Sequence, residues 1–161
     1  MDGKVTVVVG SSSVLDGNMA VALGKAGERV ALLYYSNKAG AEEHRQAIEK
    51  AGVVAITLQA DSADKDNLQS IRVDILLNAP GVNSTTPVLE IDEEEWYHIQ
   101  DVNLKGVFLF CQVFGEQMIT EGEGGSIINI SSASSETPLS IVFTYSISKS
   151  GMNSMTKFLA R

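Results

Sequence analysis

The feature that most constrains this chain is an alternation of short aliphatic runs with helix-periodic stretches, punctuated by glycine. Lys4 to Val9 reads KVTVVV and ends at Gly10. Continuous apolar runs of this kind belong to strands covered on both faces, as in parallel sheets. Asn18 to Ala26 places Ala20, Leu23 and Gly24 at helical spacing, and Gly27 suits the left-handed cap that ends a helix. Arg29 to Tyr35 is again strand-like, Ala39 to Ala51 helix-like with Gly52 as its stop, and Val53 to Leu58 reads as a buried strand. The opening is therefore a βαβαβ chain.

Asp74 to Leu77 makes a fourth strand, reached through Asp61 to Arg72 alone. That length is close to the minimum for a crossover and leaves room for a helix of about two turns. Asp92 and Glu95 form a capping pair for a long helix through Trp96, Ile99, Val102, Phe110, Val113 and Met118, closed by the Gly122 to Gly125 cluster. Ser126 to Ser131 is the fifth strand, and Phe143 to Arg161 a final amphipathic helix carrying Met152, Met155, Phe158 and Leu159, with no stop signal. Right-handed crossovers set the strands in the order 3-2-1-4-5 with helices on both faces. The expectation is one α/β domain over residues 1–161, a doubly wound, three-layer αβα parallel sheet that binds ligands at the strands' C-terminal ends.

Composition narrows the function classes. The formal net charge is -8, which repels a phosphate backbone, and no Lys/Arg cluster offsets it, so nucleic acid is not an expected partner. No apolar run reaches the 18 or so residues of a membrane helix, so no membrane association is expected. Cys111 is the single cysteine, and no apolar-cored leader follows Met1, which fits a soluble cytoplasmic protein. His44 and His98 lie on different helices without other ligands at metal-binding spacing, so no metal site is expected.

Tyr145 and Lys149 stand four apart on the last helix, so one turn brings the ammonium beneath the phenol. A cation within roughly 4 to 6 Å favours a phenolate, which makes Tyr145 a candidate general acid/base. A solvated surface pair is the plainer alternative. Ser132 stands just past the fifth strand, thirteen residues before Tyr145, where this fold places its ligand. Asn103 is a poor helix former within an apolar helix, where an amide is costly unless it finds partners.

These four residues resemble the Asn, Ser, Tyr, Lys tetrad of the short-chain dehydrogenase/reductase family: Asn103 in VNLKGVF, Ser132 in IINISS, Tyr145 and Lys149 in YSISK. SSASSETPLSIVFTYSISKSGM is similar to the glucose 1-dehydrogenase and 3-oxoacyl-carrier-protein reductase branches. The resemblance implies a Rossmann-like fold and hydride transfer between a nicotinamide cofactor and an alcohol or carbonyl substrate. Tyr145 would exchange the proton, Ser132 would position the substrate oxygen, Lys149 would hold the nicotinamide ribose and Asn103 would fix a relay water. It also implies a cofactor site of Gly10, Ser12, Ser13, Leu15, Ser36, Asn37, Asp61, Ser62, Asn78, Ala79 and Gly81, together with Tyr145 and Lys149. A homodimer or homotetramer, paired through Glu93 to Glu121 and Phe143 to Arg161, is a further implication.

Several positions depart from the family pattern. Of the three glycines in its TGxxxGxG loop only Gly10 is present; Val14 and Asp16 replace the others, and Val9 stands in the threonine position. Val14 adds bulk where a backbone must approach the pyrophosphate, and the Asp16 carboxylate competes for the amides that would bind it. A helix-capping role for Asp16, with Gly17 restoring backbone freedom, is the alternative. Ala79-Pro80 breaks the NNAG motif between Asn78 and Gly81. Tyr34 to Lys38 holds no acid for the adenosine ribose, and Ser36 and Lys38 suit a 2′-phosphate, so the reading leans toward NADP over NAD. By resemblance the chain is C-terminally shortened, lacking the last strands and the substrate loop. The rival reading is a non-catalytic or shortened relative with weak or no cofactor binding, acting as an interaction module.

Overall fold

The computed structural model describes residues 3–11, 14–61, 68–121, 124–137 and 139–161. Within them five parallel strands, β1 (Val5–Val9), β2 (Arg29–Tyr34), β3 (Ala55–Gln59), β4 (Ile75–Asn78) and β5 (Ser126–Asn129), form one sheet in the order β3-β2-β1-β4-β5. The register pairs Val9 with Leu33 and with Asn78, and Asn78 with Asn129, so four strands end at one level. The helices are α1 (Val14–Lys25), α2 (Lys38–Lys50), α3 (Glu93–Gln100), α4 (Gly106–Thr120) and α5 (Phe143–Leu159). The order and the parallel pairing are those expected from right-handed crossovers.

Successive strand residues face opposite layers. Val7, Val9, Ala31, Leu33 and Leu76 pack with Phe110, Phe114, Met118 and Met152 on one face. Val8, Val30, Leu32 and Leu77 pack with Ala20 and Ile48 on the other. This gives the three-layer αβα sandwich, with α1 and α2 on one side and α4 and α5 on the other. The third strand, read as buried, is half-exposed, and so is the fifth, because each sits at an edge of the described sheet and turns Ile56 or Ile128 outward.

Local boundaries differ from the sequence reading where tertiary contacts intervene. The first helix begins at Val14 rather than Asn18, so Asp16 lies inside its first turn and is not the cap residue. Asp92 caps α3 by accepting the Glu95 N–H at 2.8 Å. The Glu95 carboxylate does not fold back onto the cap; it accepts from Ser84 Oγ at 2.5 Å and Thr86 Oγ1 at 2.6 Å, tying the 84–86 segment to the helix. The long helix is interrupted by a π turn, Asp101–Lys105, between α3 and α4. Residues 62–67 of the fourth-strand crossover, and Gly122, lie outside the described residues.

On α5, Met152 is fully buried and Met155 packs against the core, whereas Phe158 and Leu159 remain exposed. Among the described residues no helix is long and apolar enough to cross a membrane.

Candidate active site at the strand ends

Gly10 closes β1 with a φ of +85°, and a Cβ built on it would lie 3.0 Å from the Cα and N of Pro80. Glycine is needed twice over there, for the left-handed backbone and for the close approach. The loops leaving β1 and β4 therefore touch beyond the sheet, at the point where strand order reverses and a crevice for ligands forms.

Lys149 from α5 reaches into this junction. Only 2% of it is exposed, and its ammonium donates to the Pro80 carbonyl at 3.1 Å and to the Ile130 carbonyl at 2.9 Å. Ile130 directly follows β5, so one side chain bridges the ends of two strands. An ammonium carries three N–H groups, which leaves a third for the crevice. Lys149 Nζ lies 5.7 Å from the Tyr145 ring centroid. A Cβ built on Gly81 would sit 3.9 Å from Tyr145 Cε2 and 4.0 Å from Lys149 Nζ. Burial pushes the Lys149 ammonium down to about 8, and the Asp16 carboxylate acts against that shift.

Asn103 sits fully buried on the π turn. Its oxygen accepts the Val82 N–H at 2.8 Å, and its nitrogen donates to the Val82 carbonyl at 2.9 Å and to Ser148 Oγ at 3.0 Å. The partners that an amide in an apolar helix requires are thus Val82 and Ser148. Ser148 Oγ in turn donates to the Tyr145 carbonyl at 2.7 Å. Neither Val82 nor Ser148 was singled out from the sequence; the cost of an unpartnered Asn103 was the signal that a second polar group had to face it.

Ser132 stands past β5 as the cap of a short 3₁₀ turn, Ala133–Ser135, where its Oγ accepts the Ser134 N–H at 3.2 Å and lies 3.0 Å from Ser134 Oγ. The same stretch meets Lys149 through the Ile130 carbonyl, which accepts from its ammonium, and through Ser131 Oγ, which donates to its backbone carbonyl at 3.5 Å. The structure thus brings Tyr145, Lys149, Gly81 and, through Ser148, Asn103 together, while the Ser132 hydroxyl is bonded within its own turn.

The other expected cofactor residues among those described lie at or just after the C-terminal ends of β1 to β4. Leu15 is exposed on the first turn of α1, as is Val14, at 77%; Asp16 is 4% exposed. Val14 therefore points away from the protein interior and crowds nothing inside it. Ser36, Asn37 and Asp61 are exposed beyond β2 and β3, and Asn37 Oδ1 caps α2 by accepting the Gly40 N–H at 3.0 Å. Asn78 turns its side chain inward, donating to Asn129 Oδ1 at 2.9 Å and to Cys111 Sγ at 3.3 Å. The Ala79 N–H donates to the Val9 carbonyl. Ser12, Ser13 and Ser62 lie outside the described residues. Among the described residues no cluster of His, Cys, Asp or Glu is suited to a metal ion.

The short chain dehydrogenase family model matches residues 4–161. The chain belongs to the short chain dehydrogenase family. It is 37% identical to an uncharacterized oxidoreductase of Methylorubrum extorquens strain AM1, covering 99% of this chain and 67% of that protein. Glucose 1-dehydrogenase 2 of Bacillus subtilis is 29% identical, covering 99% of this chain and 66% of its own length. The crystal structure of acetoin dehydrogenase from Enterobacter cloacae superposes with a TM-score of 0.90 at 28% identity, covering 98% of this chain and 66% of that one. This short-chain dehydrogenase sequence thus spans about two thirds of the length of these relatives.

Proposed function

We propose that this chain is the cofactor-binding and proton-transferring part of an NAD(P)-dependent oxidoreductase that interconverts an alcohol and a carbonyl compound. The observation that carries the reading is the convergence of the Lys149 ammonium, the Tyr145 ring and Gly81 at the ends of the parallel strands. Gly81 is exposed, and the space beside it, which a side chain would enter, faces both Tyr145 and Lys149. That cradle fits the ribose and nicotinamide end of a dinucleotide, with Gly10, Leu15, Ala79 and Gly81 along its course and Ser36, Asn37 and Asp61 at the adenosine end. The absence of an acid between Tyr34 and Lys38, with Ser36 and Lys38 both exposed, favours NADP over NAD.

A bound nicotinamide supplies the hydride acceptor or donor. The remaining chemistry belongs to the chain. Tyr145 exchanges a proton with the substrate oxygen. Lys149 holds a positive charge in a largely desolvated place, where it stabilises the phenolate formed when Tyr145 gives its proton away. Ser132 releases its local bond to Ser134 and donates to the substrate oxygen, keeping it within reach of Tyr145. The relatives named for glucose and acetoin point to hydroxylated small molecules as the substrate class, and a homodimer or homotetramer is the expected assembly.

Fluorescence titration with NADPH and NADH, followed by turnover of acetoin, glucose and glycerol by the wild type and Tyr145→Phe, tests the proposal. Binding of NADPH, with turnover lost in the Phe variant and binding kept, supports it. Failure of the wild type to bind either nucleotide would favour a non-catalytic relative, and equal turnover in both proteins would remove Tyr145 from the reaction.

A further inference from the structure

The segment Pro80-Gly81-Val82 forms one wall of the crevice, and it is pinned at both ends by side chains from the other layer. Lys149 holds the Pro80 carbonyl at 3.1 Å. Asn103 holds the peptide groups of Val82 in both directions, as a neighbouring strand would, at 2.8 and 2.9 Å. Gly81 lies between the two pins and faces Tyr145 and Lys149. The opposite wall is the turn of α5 that carries Tyr145 and Lys149. Ser148 belongs to that turn, is fully buried, and is linked to the first wall through Asn103: it accepts from Asn103 Nδ2 at 3.0 Å and donates to the Tyr145 carbonyl within its own turn at 2.7 Å.

We propose that Ser148 is a positioning residue, which with Asn103 forms a clamp setting the width of the slot between Gly81 and the Tyr145–Lys149 turn, where the nicotinamide ribose would lie. The inference rests on the dinucleotide reading above and assigns to Asn103 and Ser148 a task the tetrad resemblance does not describe. Both N–H groups of the Asn103 amide are already committed, one to Val82 and one to Ser148, so its nitrogen acts on the wall of the slot rather than on a ligand. The π turn is the backbone feature that places it there: the extra residue of a π turn pushes a side chain out of the regular helical ladder, and such turns cluster at functional sites. If Ser148 Oγ is removed, a buried N–H of Asn103 loses its acceptor. The amide then turns in search of another partner, and Val82 and Gly81 move with it.

A residue that only stabilised the fold would, when replaced, weaken every ligand alike. A clamp on the slot weakens only ligands that enter it. The test compares Ser148→Ala with the wild type in titrations with NADPH and with 2′,5′-ADP, which has the adenosine end and no nicotinamide ribose. Unfolding curves on the same samples verify the fold. The expected result is a loss of NADPH affinity of about tenfold with 2′,5′-ADP affinity changed less than twofold. Ser148→Cys, nearly the same in volume and a weaker acceptor, is expected to fall between the two and serves as the measured variant if Ser148→Ala does not fold. Unchanged NADPH affinity, or equal losses for both nucleotides, overturns the clamp while leaving the dinucleotide reading intact. If the wild type binds neither nucleotide, the dinucleotide reading fails and the clamp falls with it.

Discussion

The ammonium of Lys149 is held by the carbonyl of Pro80, at 3.1 Å. Proline stands where the family's motif has another residue, yet the contact uses the carbonyl oxygen, which proline keeps, and not the N–H, which it lacks. The departure at Ala79-Pro80 therefore leaves the anchoring of Lys149 intact. A second acceptor, the carbonyl of Ile130, makes the ammonium a bridge between the ends of β4 and β5.

Burial of Lys149 makes stability depend on pH. Its folded value of about 8 lies below the ordinary 10.5, so between these values the unfolded chain binds a proton that the folded chain does not. Stability is accordingly lowest, as far as this group is concerned, below pH 8, and rises as the pH climbs from 8 toward 10.5. The full gain is on the order of 3 kcal/mol. Urea unfolding across this window should show the rise in the wild type and a flatter curve in Lys149→Met; identical slopes would exclude Lys149 as its source.

Asp16→Asn should move Lys149 further down, because the Asp16 carboxylate acts to raise it. The same change removes a negative charge from the first turn of α1, which in the proposed function would lie against the cofactor diphosphate, so NADPH binding should tighten several-fold. Carbon-detected NMR titration of the lysine side chains follows the first effect and fluorescence titration the second. Looser NADPH binding in the Asn variant would show that Asp16 supports the loop instead of opposing its ligand.

Gly81→Leu should block the slot without unfolding the chain. Gly81 is exposed, and among the described residues a Cβ there meets Tyr145 and Lys149 alone, at ordinary contact distances of 3.9 and 4.0 Å. Gly81→Ala is thus tolerated, whereas the longer leucine occupies the space assigned to the ribose. Loss of NADPH binding in the leucine variant, with an unchanged unfolding midpoint, is the expected pattern; retained binding would place the cofactor elsewhere.

Gly10→Ala combines an unfavourable left-handed backbone with a Cβ only 3.0 Å from the Pro80 backbone. The backbone part alone costs roughly 1–2 kcal/mol, and the contact adds to it because a main chain cannot yield as a flexible side chain does. Denaturant unfolding should register a loss of about 2 kcal/mol or more, and a variant as stable as the wild type would contradict the observed junction of the two loops.

Cys111 should resist alkylation in the native protein. Burial pushes its thiol up to about 11, with hydrogen bonds to Asn129 and Asn78 opposing the rise, so little thiolate exists at neutral pH. Reaction with a thiol reagent at pH 8 should be slow until urea unfolds the chain; rapid native modification would show that the α4 face opens.

The legible parts of this protein are those written in local patterns. KVTVVV followed by Gly10, and the glycine stops at Gly27 and Gly52, mark elements because burial and backbone handedness act within a few residues. Tyr145 and Lys149 were readable as a pair because one helical turn fixes their relation. The edges were less legible: β3 and β5 carry aliphatic residues as the central strands do, Ile56 and Leu58 in one and Ile127 and Ile128 in the other, and their place in the sheet exposes Ile56 and Ile128. Glu95 has the spacing of a capping box, yet Ser84 and Thr86, brought near by the fold, take its carboxylate.

By itself, the order of the amino acids determined the α/β alternation, the strand order implied by right-handed crossovers, and the four residues that mark the family. The tertiary structure alone decided that Pro80 receives Lys149, that Asn103 grips Val82 through a π turn, that Ser148 joins this grip to Tyr145, and that Asp16 is buried within electrostatic reach of Lys149. The reason is range. Periodicity and capping act between neighbours in the chain, whereas hydrogen bonds and desolvation act between groups that only the folded sheet brings together from Pro80, Asn103 and Lys149.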